Sequence, residues 1–356
     1  MMQISPETQL FIREHSSDDV RVLALQAKKY PDIDMPTAIT QIAGRKVAAE
    51  KIPSWWEIEK IWYPKHLSLE QCSSEITARY KARLLQGDSL TDLTGGFGID
   101  CSFLATGFKS ATYVERQEEL CEIAAHNFPV LNLNHINIKN EDGVTYLQVM
   151  SPVDSLFLDP ARRNEHGGKT VAISDCEPNV AELEELLLQK ANRVMIKLSP
   201  MLDLSLALKE LKQTQEVHIL SVNNECKELL ILLGQTSPAE ISIHCVNLFT
   251  KGTQKEQHFV FTREQEQCSE CTYTDSLETY LYEPNASLLK AGAFRSIAAA
   301  YPVRKLHPNS HLYTSDTFIE NFPGRIFRIV NQCSFNKKEV KENLADLKKA
   351  NVTVRN

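Results

Sequence analysis

The chain has 356 residues, of which 42% are hydrophobic and 24% are charged, with a formal net charge of −7. No apolar run approaches membrane-spanning length, so we expect no membrane partner. The nine cysteines have no regular spacing and no secretory signal is recognisable, which predicts reduced thiols in the cytoplasm rather than a disulfide-bonded secreted protein.

Residues 1–70 are predicted to form an N-terminal helical region. Two helix starts are visible, Ser5-Pro6-Glu7 and Met35-Pro36-Thr37, because proline suits the first turn of a helix. All three tryptophans follow, Trp55, Trp56 and Trp62. They indicate either base stacking or a helix that packs on the next domain.

Residues 71–265 alternate strand-like and helical segments, which predicts an α/β domain with a mostly parallel sheet. A helix over Ala78–Leu85 leads into the strand Ser89-Leu90-Thr91, which ends in Asp92 and a turn containing Gly95, Gly96 and Gly98. This order places backbone N–H groups and a helix N-terminus against a nucleotide-like ligand. The glycines let the main chain approach that ligand closely.

Three further strand-like runs lead to a carboxylate, at Glu115, Asp142 and Asp159. Glu115 follows Asp92 by 23 residues, the spacing at which a nucleotide-binding fold holds ribose hydroxyls. Asp142 could accept a hydrogen bond from an adenine amino group. Dinucleotide enzymes share these two features, but an Asp-Pro after the fourth strand, here Asp159-Pro160, is not expected of them. An ordinary α/β fold with acidic strand ends is the remaining alternative.

The full series resembles the class I S-adenosylmethionine (SAM) methyltransferases, whose fourth motif is Asp/Asn-Pro-Pro-aromatic or a variant. The resemblance implies a Rossmann-like sheet with SAM as cofactor. The residues that would hold SAM are Asp92, Thr94, Gly95, Gly96, Gly98, Glu115 and Asp142. Asp159 and the Pro160 carbonyl would accept hydrogen bonds from a nucleophilic nitrogen and aim its lone pair at the methyl group, and Asp159 could take up the released proton.

The two arginines of Asp159-Pro160-Ala161-Arg162-Arg163 could bind a phosphate bidentately, or could close the loop before Gly167-Gly168 as an ion pair. The aromatic residue that stacks a flipped base in amino-methylating enzymes is absent here, which leaves the target atom open. The Asp-Pro-x-Arg form is similar to the C5-uracil methyltransferases, which use a cysteine on the following strand end. That position reads Lys197-Leu198-Ser199-Pro200, so a thiolate mechanism is disfavoured, with Cys176 or Cys226 as the remaining thiols.

Four more strands and a linker complete this part of the chain. The predicted strands are Val194–Leu198, Val217–Val222, Leu229–Leu233 and His258–Thr262, and the polar stretch Glu264–Asp275 is predicted to be a linker. Cys268-Ser269-Glu270-Cys271 has metal-ligand spacing, but no second pair completes a zinc site, so no metal is predicted. Gln71–Glu75 indicates either a cover for the cofactor pocket or a helix-capping turn.

The C-terminal part is predicted to be small and α+β, with Tyr280–Pro284, a helix over Ala286–Ala300, the strand Ile326–Val330 and a charged helix to Ala350. With this layout the whole chain is similar to a family of bacterial SAM-dependent methyltransferases that carry a ferredoxin-like insert and a C-terminal THUMP-like domain. The matching stretches are Asp92–Asp100, Leu158–Arg163, Tyr282–Ala286 and 324–356. The resemblance implies a methyltransferase domain over 71–265, a ferredoxin-like domain over 276–323 and a THUMP-like domain over 324–356. The last strands of that domain are expected to be absent, since the chain stops inside Val352-Thr353-Val354.

Charge is unevenly distributed along the chain. Residues 286–356 hold 12 Lys and Arg against 5 Asp and Glu, whereas residues 1–285 hold 27 against 41. This asymmetry indicates a polyanionic partner or, equally, a solvated basic helix around Lys337–Lys349. THUMP domains are associated with RNA, so the resemblance implies an RNA substrate. We therefore predict SAM-dependent methylation of RNA at a nitrogen atom. The alternatives are a methyltransferase for a small molecule or protein, and a non-catalytic RNA-binding protein. The sequence does not indicate an oligomeric state.

Overall fold

The computed structural model describes residues 4–162, 172–236, 238–334 and 336–345, without the side chains of His66 and Arg162. Arg163, Gly167, Gly168 and the strand predicted at Val352–Val354 lie outside these residues. The chain divides into two compact units, Met1–Arg263 and Glu264–Asn356. None of the described helices is both long and apolar enough to span a bilayer.

The first unit begins with five helices, as the sequence predicts. They are α1 (Pro6–Glu14), α2 (Val20–Leu25), α3 (Met35–Lys51), α4 (Pro53–Trp56) and α5 (His66–Gln71). Helix α1 begins where its proline indicates, because the Ser5 hydroxyl accepts a hydrogen bond from the Thr8 N–H at 3.2 Å. Asp34 caps α3 in the same way through the Thr37 N–H. Phe11, Leu23 and Ile42 join these helices in one apolar cluster.

A nine-stranded mixed sheet follows. Its first half contains α6 (Glu75–Ala82), β1 (Ser89–Asp92), α7 (Ile99–Ala105), β2 (Ser110–Glu115), α8 (Glu118–Val130), β3 (Ile136–Asn140), α9 (Gly143–Val149) and β4 (Val153–Leu158). A two-stranded ribbon comes next, β5 (Ala161–Arg162) and β6 (Cys176–Glu177). The second half contains α10 (Val180–Lys190), β7 (Ala191–Leu198), α11 (Leu204–Glu210), β8 (Thr214–Val222), β9 (Glu225–Gly234), β10 (Ser242–Leu248) and β11 (Glu256–Thr262).

The strand order is β3-β2-β1-β4-β7-β9-β8-β10-β11. Strands β3, β2, β1, β4 and β7 are parallel neighbours, and β9 inserts antiparallel between β7 and β8. The chain turns outward from β1 to β3 and then returns to β4 on the other side of β1. This reversal opens a crevice at the carboxyl ends of β1 and β4, which is where open α/β sheets bind ligands.

The predicted α/β fold class is confirmed, and one strand of the nine-stranded sheet was missed. The strands predicted around Leu229–Leu233 and His258–Thr262 are β9 and β11. Strand β10, Ser242–Leu248, has polar residues at every second position of its first half. The partners of these polar side chains lie on the neighbouring strands, so the sequence of β10 alone does not reveal them.

The second unit is built around a four-stranded antiparallel sheet in the order β13-β14-β12-β15. Its elements are α12 (Arg263–Cys268), β12 (Tyr280–Pro284), α13 (Ala286–Ala291), α14 (Ser296–Ala300), β13 (Arg304–Lys305), β14 (Tyr313–Ser315), β15 (Gly324–Arg328) and α15 (Lys337–Asn343). Strand β15 pairs with β12 along its full length, so residues 324–328 complete the sheet that begins at Tyr280.

Several predictions in this unit differ from the structure. The strand predicted over Ile326–Val330 lies two residues earlier, as β15, and strands β13 and β14 were not predicted. The predicted helix Ala286–Ala300 is interrupted, because Gly292 adopts a left-handed backbone conformation (φ +77°) that ends α13. The predicted linker Glu264–Asp275 is partly helical and is tied to the unit. The Glu266 carboxylate accepts hydrogen bonds from the backbone N–H groups of Phe294, Arg295 and Ser296 at 2.8–3.0 Å.

Candidate functional site

A glycine-rich turn connects β1 to α7 at the crevice. The Gly98 N–H donates to the Gly95 carbonyl at 2.9 Å, and Gly98 has a left-handed conformation (φ +86°) at the N-cap of α7. Gly95 faces Tyr113 so closely that a Cβ atom there would lie 2.3 Å from Cε2 of the ring. Gly98 is therefore required by its backbone conformation, and Gly95 by packing. The turn can present main-chain N–H groups to a ligand.

Replacement of Gly95 by alanine tests that packing. We expect Gly95→Ala to lower the free energy of unfolding by about 1–3 kcal/mol, because the buried Tyr113 ring must move to admit the methyl group. Gly107→Ala is a matched control, since its Cβ would meet nothing closer than the Leu104 carbonyl at 3.7 Å. Urea denaturation of both variants measures the difference, and equal stabilities would contradict the account given for Gly95.

Asp92 ends β1 with one carboxylate oxygen satisfied and the other unpaired. Its Oδ1 accepts the Thr94 N–H at 2.9 Å, whereas its Oδ2 has no hydrogen-bond partner among the described residues. The side chain is 1% exposed, and burial raises its pKa well above the ordinary value. A buried acceptor without a donor is costly, so this oxygen fits a ligand that brings a donor, such as an ammonium group.

Glu115 and Asp142 end or follow the next two strands. The backbone N–H groups of Gly96 and Gln117 each donate to one Glu115 carboxylate oxygen at 2.8 Å, which fixes the side chain beside the glycine turn. Asp142 caps α9 by accepting the N–H groups of Val144 and Thr145 at 3.0 Å. Both residues line the same cavity, and their predicted ribose and adenine contacts stay predictions.

Asp159 begins the loop after β4 and is held from two sides. Its backbone N–H donates to the Thr94 hydroxyl at 2.6 Å, so Thr94 joins the glycine turn to the Asp-Pro loop. The Lys197 ammonium group donates to Asp159 Oδ2 at 2.5 Å. Burial raises the pKa of Asp159, and the Lys197 charge opposes that shift. The side chain keeps 36% of its surface exposed, so one carboxylate oxygen can still meet a substrate.

Beneath Asp159 lies a chain of buried charges. Lys197 also lies 3.7 Å from Asp100, and the fully buried Lys81 contacts both Asp100 at 2.9 Å and Glu228 at 2.8 Å. The Ser73 hydroxyl donates to Asp100 and accepts from Lys81, both at 2.7 Å. Burial alone would lower the pKa of Lys197, but Asp159 and Asp100 raise it above the ordinary value. Lys197 is therefore a permanent cation beside the Asp-Pro loop.

A cavity of about 1190 Å³ lies at this crevice. Its wall contains the predicted residues Asp92, Thr94, Gly95, Gly96, Gly98, Glu115, Asp142, Asp159 and Pro160. The structure therefore brings together every described residue that was predicted to bind cofactor or act in catalysis. The predicted substrate residues are the exception, because the Arg162 side chain and all of Arg163 lie outside the described residues.

The cavity also contains residues that sequence reasoning missed or assigned differently. Ser73, Asp100 and Lys197 line it, and the only signal for the lysine was a charged residue inside the apolar strand Val194-Met195-Ile196-Lys197-Leu198. Cys176 lines it too, as one of the two thiols considered. Cys72 is a further thiol at the wall, but burial raises its pKa to about 11, so it is not a thiolate at neutral pH.

Three further groups were singled out in the sequence: the tryptophans, the turn at Gln71–Glu75 and the cysteine pair at 268 and 271. Trp55 is buried against Phe97 with ring centroids 5.2 Å apart, and Trp62 stacks on His126 at 3.7 Å, so these two tryptophans attach the helical region to the sheet domain. Ser74 is the N-cap of α6, while its neighbour Ser73 reaches the cavity. No group of three metal-competent side chains within the described ranges includes Cys268 or Cys271.

Comparisons with known proteins agree with this architecture. The ferredoxin-like domain family matches residues 280–323, which supports that part of the resemblance, and the THUMP-like domain stays a prediction. No curated protein matched the chain. The crystal structure of a candidate methyltransferase from Porphyromonas gingivalis W83 is 34% identical, with a TM-score of 0.84 over 97% of this chain and 87% of that one.

Two more distant structures match a smaller share of the chain. An rRNA methylase from Streptococcus thermophilus is 15% identical over 45% of this chain and 93% of its own, with a TM-score of 0.32. A candidate methyltransferase from Streptococcus mutans, solved with S-adenosylhomocysteine, is 14% identical over 45% and 96%, with a TM-score of 0.33. On the strength of the first match, this chain has a class I methyltransferase fold and belongs to the family of the Porphyromonas gingivalis protein.

Proposed function

We propose that this protein is a SAM-dependent methyltransferase that modifies a base nitrogen in RNA. One observation carries the methyltransferase assignment. The unpaired buried oxygen of Asp92 and the partly exposed carboxylate of Asp159 lie on the wall of one cavity, at the crevice between β1 and β4. The first suits the positive end of a cofactor, and the second suits a nucleophile with protons to lose.

The cofactor side of the cavity fits SAM. When bound, SAM supplies an electrophilic methyl group on a sulfonium ion. Asp92 would accept a hydrogen bond from the ammonium group of the methionine end, and the turn from Gly95 to Gly98 lets the main chain approach it. Glu115, oriented by two backbone N–H groups, would accept from the ribose hydroxyls. The wall near Asp142 would take the adenine.

The acceptor side is organised by the Asp159-Pro160 peptide. Asp159 and the Pro160 carbonyl would accept hydrogen bonds from the protons of the attacking nitrogen and so direct its lone pair toward the methyl group. Lys197 holds one oxygen of Asp159 and leaves the other for the substrate. Asp159 can also take up the proton that the nitrogen releases. A thiolate intermediate is not favoured, because the strand end that would carry the cysteine reads Lys197-Leu198-Ser199-Pro200.

The RNA assignment rests on the resemblance to THUMP-like domains and on the basic C-terminal residues. Net charge alone does not support it, because the compact unit 264–356 holds 12 Lys and Arg against 11 Asp and Glu. The basic residues are instead locally concentrated, as in α15, where Lys337, Lys338 and Lys341 are exposed. A polyanion would be bound by such clusters rather than by the field of the whole unit.

Salt dependence tests this assignment. Replacing Lys337, Lys338 and Lys341 together by glutamine is expected to weaken binding to bulk tRNA or rRNA and to reduce the log–log salt slope by about 2–3. The matched control replaces Arg21, Lys28 and Lys29, which are equally exposed in the helical region. Fluorescence anisotropy across a salt series measures both slopes. Equal slopes in all three proteins would contradict binding of RNA through α15.

The decisive experiment for the proposed function combines cofactor binding with methyl transfer. Calorimetric titration with SAM is expected to show one binding site in the wild type and greatly weakened binding in Asp92→Ala and Glu115→Ala. Labelled SAM is then supplied with RNA from a strain that lacks the gene, and with RNA from the parent strain as control. Label in the first RNA alone supports the proposal. SAM binding with label only in protein or small molecules would identify a different methyltransferase, and no SAM binding by the folded wild type would indicate a non-catalytic RNA-binding protein.

A further inference from the structure

A second group of functional side chains lies on the sheet away from the cavity. Glu216 and His218 occupy alternate positions of β8, and His218 faces His244 of β10 in the parallel register. His258 of β11 lies beside Val246 of β10, two residues from His244 and on the same face. None of these four side chains contributes to the cavity wall. The methyltransferase function proposed above therefore leaves them without a role.

The side chains are close enough to share a ligand. One donor atom each from Glu216, His218 and His244 can be chosen so that all three lie within 4.8 Å of one another. Nε2 of His218 is 3.2 Å from Oε2 of Glu216, and the His218 and His244 rings are stacked with centroids 4.3 Å apart. A tetrahedral zinc ion with bonds of about 2.0–2.1 Å requires donor atoms roughly 3.3 Å apart, a spacing that Glu216 and His218 already have. The His244 ring must turn out of its stack with His218 to direct a nitrogen lone pair at the same point.

The residue types also suit a metal. Imidazole nitrogens and a carboxylate oxygen coordinate a divalent transition-metal ion, and the ion displaces any proton that the coordinating nitrogen carries.

His218 is also held in the way that metal-binding histidines are held. The side chain is 3% exposed, and its second ring nitrogen, Nδ1, lies 2.8 Å from the Tyr80 hydroxyl. A partner on the other nitrogen fixes the ring and its tautomer, so that Nε2 is presented to the ligand. His258 lies next to this group, with its Nε2 3.2 Å from Nδ1 of His244.

We propose that Glu216, His218 and His244 form a binding site for a divalent transition-metal ion of the zinc class, with His258 beside the open coordination position. Two imidazoles and one carboxylate are a ligand set that zinc accepts, and they disfavour magnesium and calcium, which prefer oxygen ligands. The ion would join β8 to β10 near the outer edge of the nine-stranded sheet. Its role there is structural, because the donor atoms lie away from the cofactor cavity.

Cobalt(II) is a suitable probe because its visible absorption reports coordination. The protein is freed of metal with a chelator and studied in a Cys268→Ser, Cys271→Ser background, which removes the thiol pair with metal-ligand spacing. We expect one equivalent of cobalt to give visible bands without a sulfur-to-metal charge-transfer band. Zinc is expected to displace the cobalt and to raise the melting temperature.

Variants identify the ligands. His244→Ala and Glu216→Gln should each abolish the visible bands and the zinc-dependent rise in melting temperature, and Tyr80→Phe should weaken cobalt binding by roughly 10- to 100-fold. His307→Ala, which removes an exposed histidine of the second unit, is the matched control and should bind normally. Circular dichroism establishes that each variant is folded. The proposal is overturned if the wild type binds less than one equivalent, or if folded His244→Ala and Glu216→Gln bind as the wild type does.

Discussion

Replacing Asp159 by asparagine is expected to slow methyl transfer by about 10²- to 10⁴-fold, while the affinity for SAM stays near that of the wild type. Asparagine keeps the shape and one acceptor oxygen of the side chain but cannot take up a proton. The residue lies at the cavity wall, and its link to the glycine turn runs from its backbone N–H to the Thr94 hydroxyl, which the substitution keeps. Single-turnover transfer from labelled SAM measures the rate, and calorimetry measures the affinity.

Loss of the carboxylate also leaves Lys197 with more distant negative partners, of which Asp100 lies at 3.7 Å. The double variant Asp159→Asn, Lys197→Met removes the unbalanced charge and should not recover activity if the carboxylate itself is required. Asp32→Asn is the control for the loss of one exposed carboxylate elsewhere. Recovery of the rate in the double variant would show that charge balance at Lys197, rather than proton transfer to Asp159, had been lost.

Lys197 is expected to set the pH range of the reaction. Burial raises the pKa of Asp159 and the Lys197 ammonium group opposes this, so Lys197→Met should raise the pKa of Asp159 further. Because the reactive form is the carboxylate, the acidic limb of the pH–rate profile should move to higher pH in the variant. A rate profile that keeps its position while only the amplitude falls would argue that Lys197 acts on folding rather than on Asp159.

Asp92 should show opposite effects on binding and stability. Asp92→Asn is expected to weaken SAM binding by roughly 10- to 100-fold, because the ammonium group of the cofactor loses a charged acceptor. The same change should raise the free energy of unfolding of the ligand-free protein at pH 7 by about 1–3 kcal/mol. The reason is that Oδ2 of Asp92 is a buried acceptor without a hydrogen-bond partner among the described residues, and burial of a negative charge there lowers the stability of the folded protein.

The pH dependence of this stability difference follows from linkage. Folding raises the pKa of Asp92, so the wild type is destabilised as the pH rises above the unfolded pKa of about 4. Below that pH the carboxyl group is neutral in both states, and the two proteins should be equally stable. Urea denaturation at a series of pH values from 3 upward tests this. A difference that persists at low pH, or that favours the wild type at pH 7, would contradict the account.

The cofactor half of the site could be predicted because its residues are close in sequence and follow fixed geometry. Asp92 ends a strand, the glycines follow directly, and Glu115 ends the next strand, so short-range patterns locate all of them at one edge of a parallel sheet. The helix starts predicted at Ser5-Pro6-Glu7 and Met35-Pro36-Thr37 follow the same logic, since the residues that begin a helix are neighbours in the chain. For these elements local preference and tertiary structure agree.

Only the tertiary structure decided which charges meet. Lys81 and Glu228 are 147 residues apart, yet they form a buried pair that reaches the cavity through Asp100. The histidines of β8 and β10 become neighbours only through strand register, and Gly292 divides a helix that composition alone would continue. A pattern along the chain records which side chains can be buried and where the backbone can turn. The partner of a buried charge depends on the packing of distant segments, because its free energy is set by the few ångströms around it and not by its neighbours in sequence.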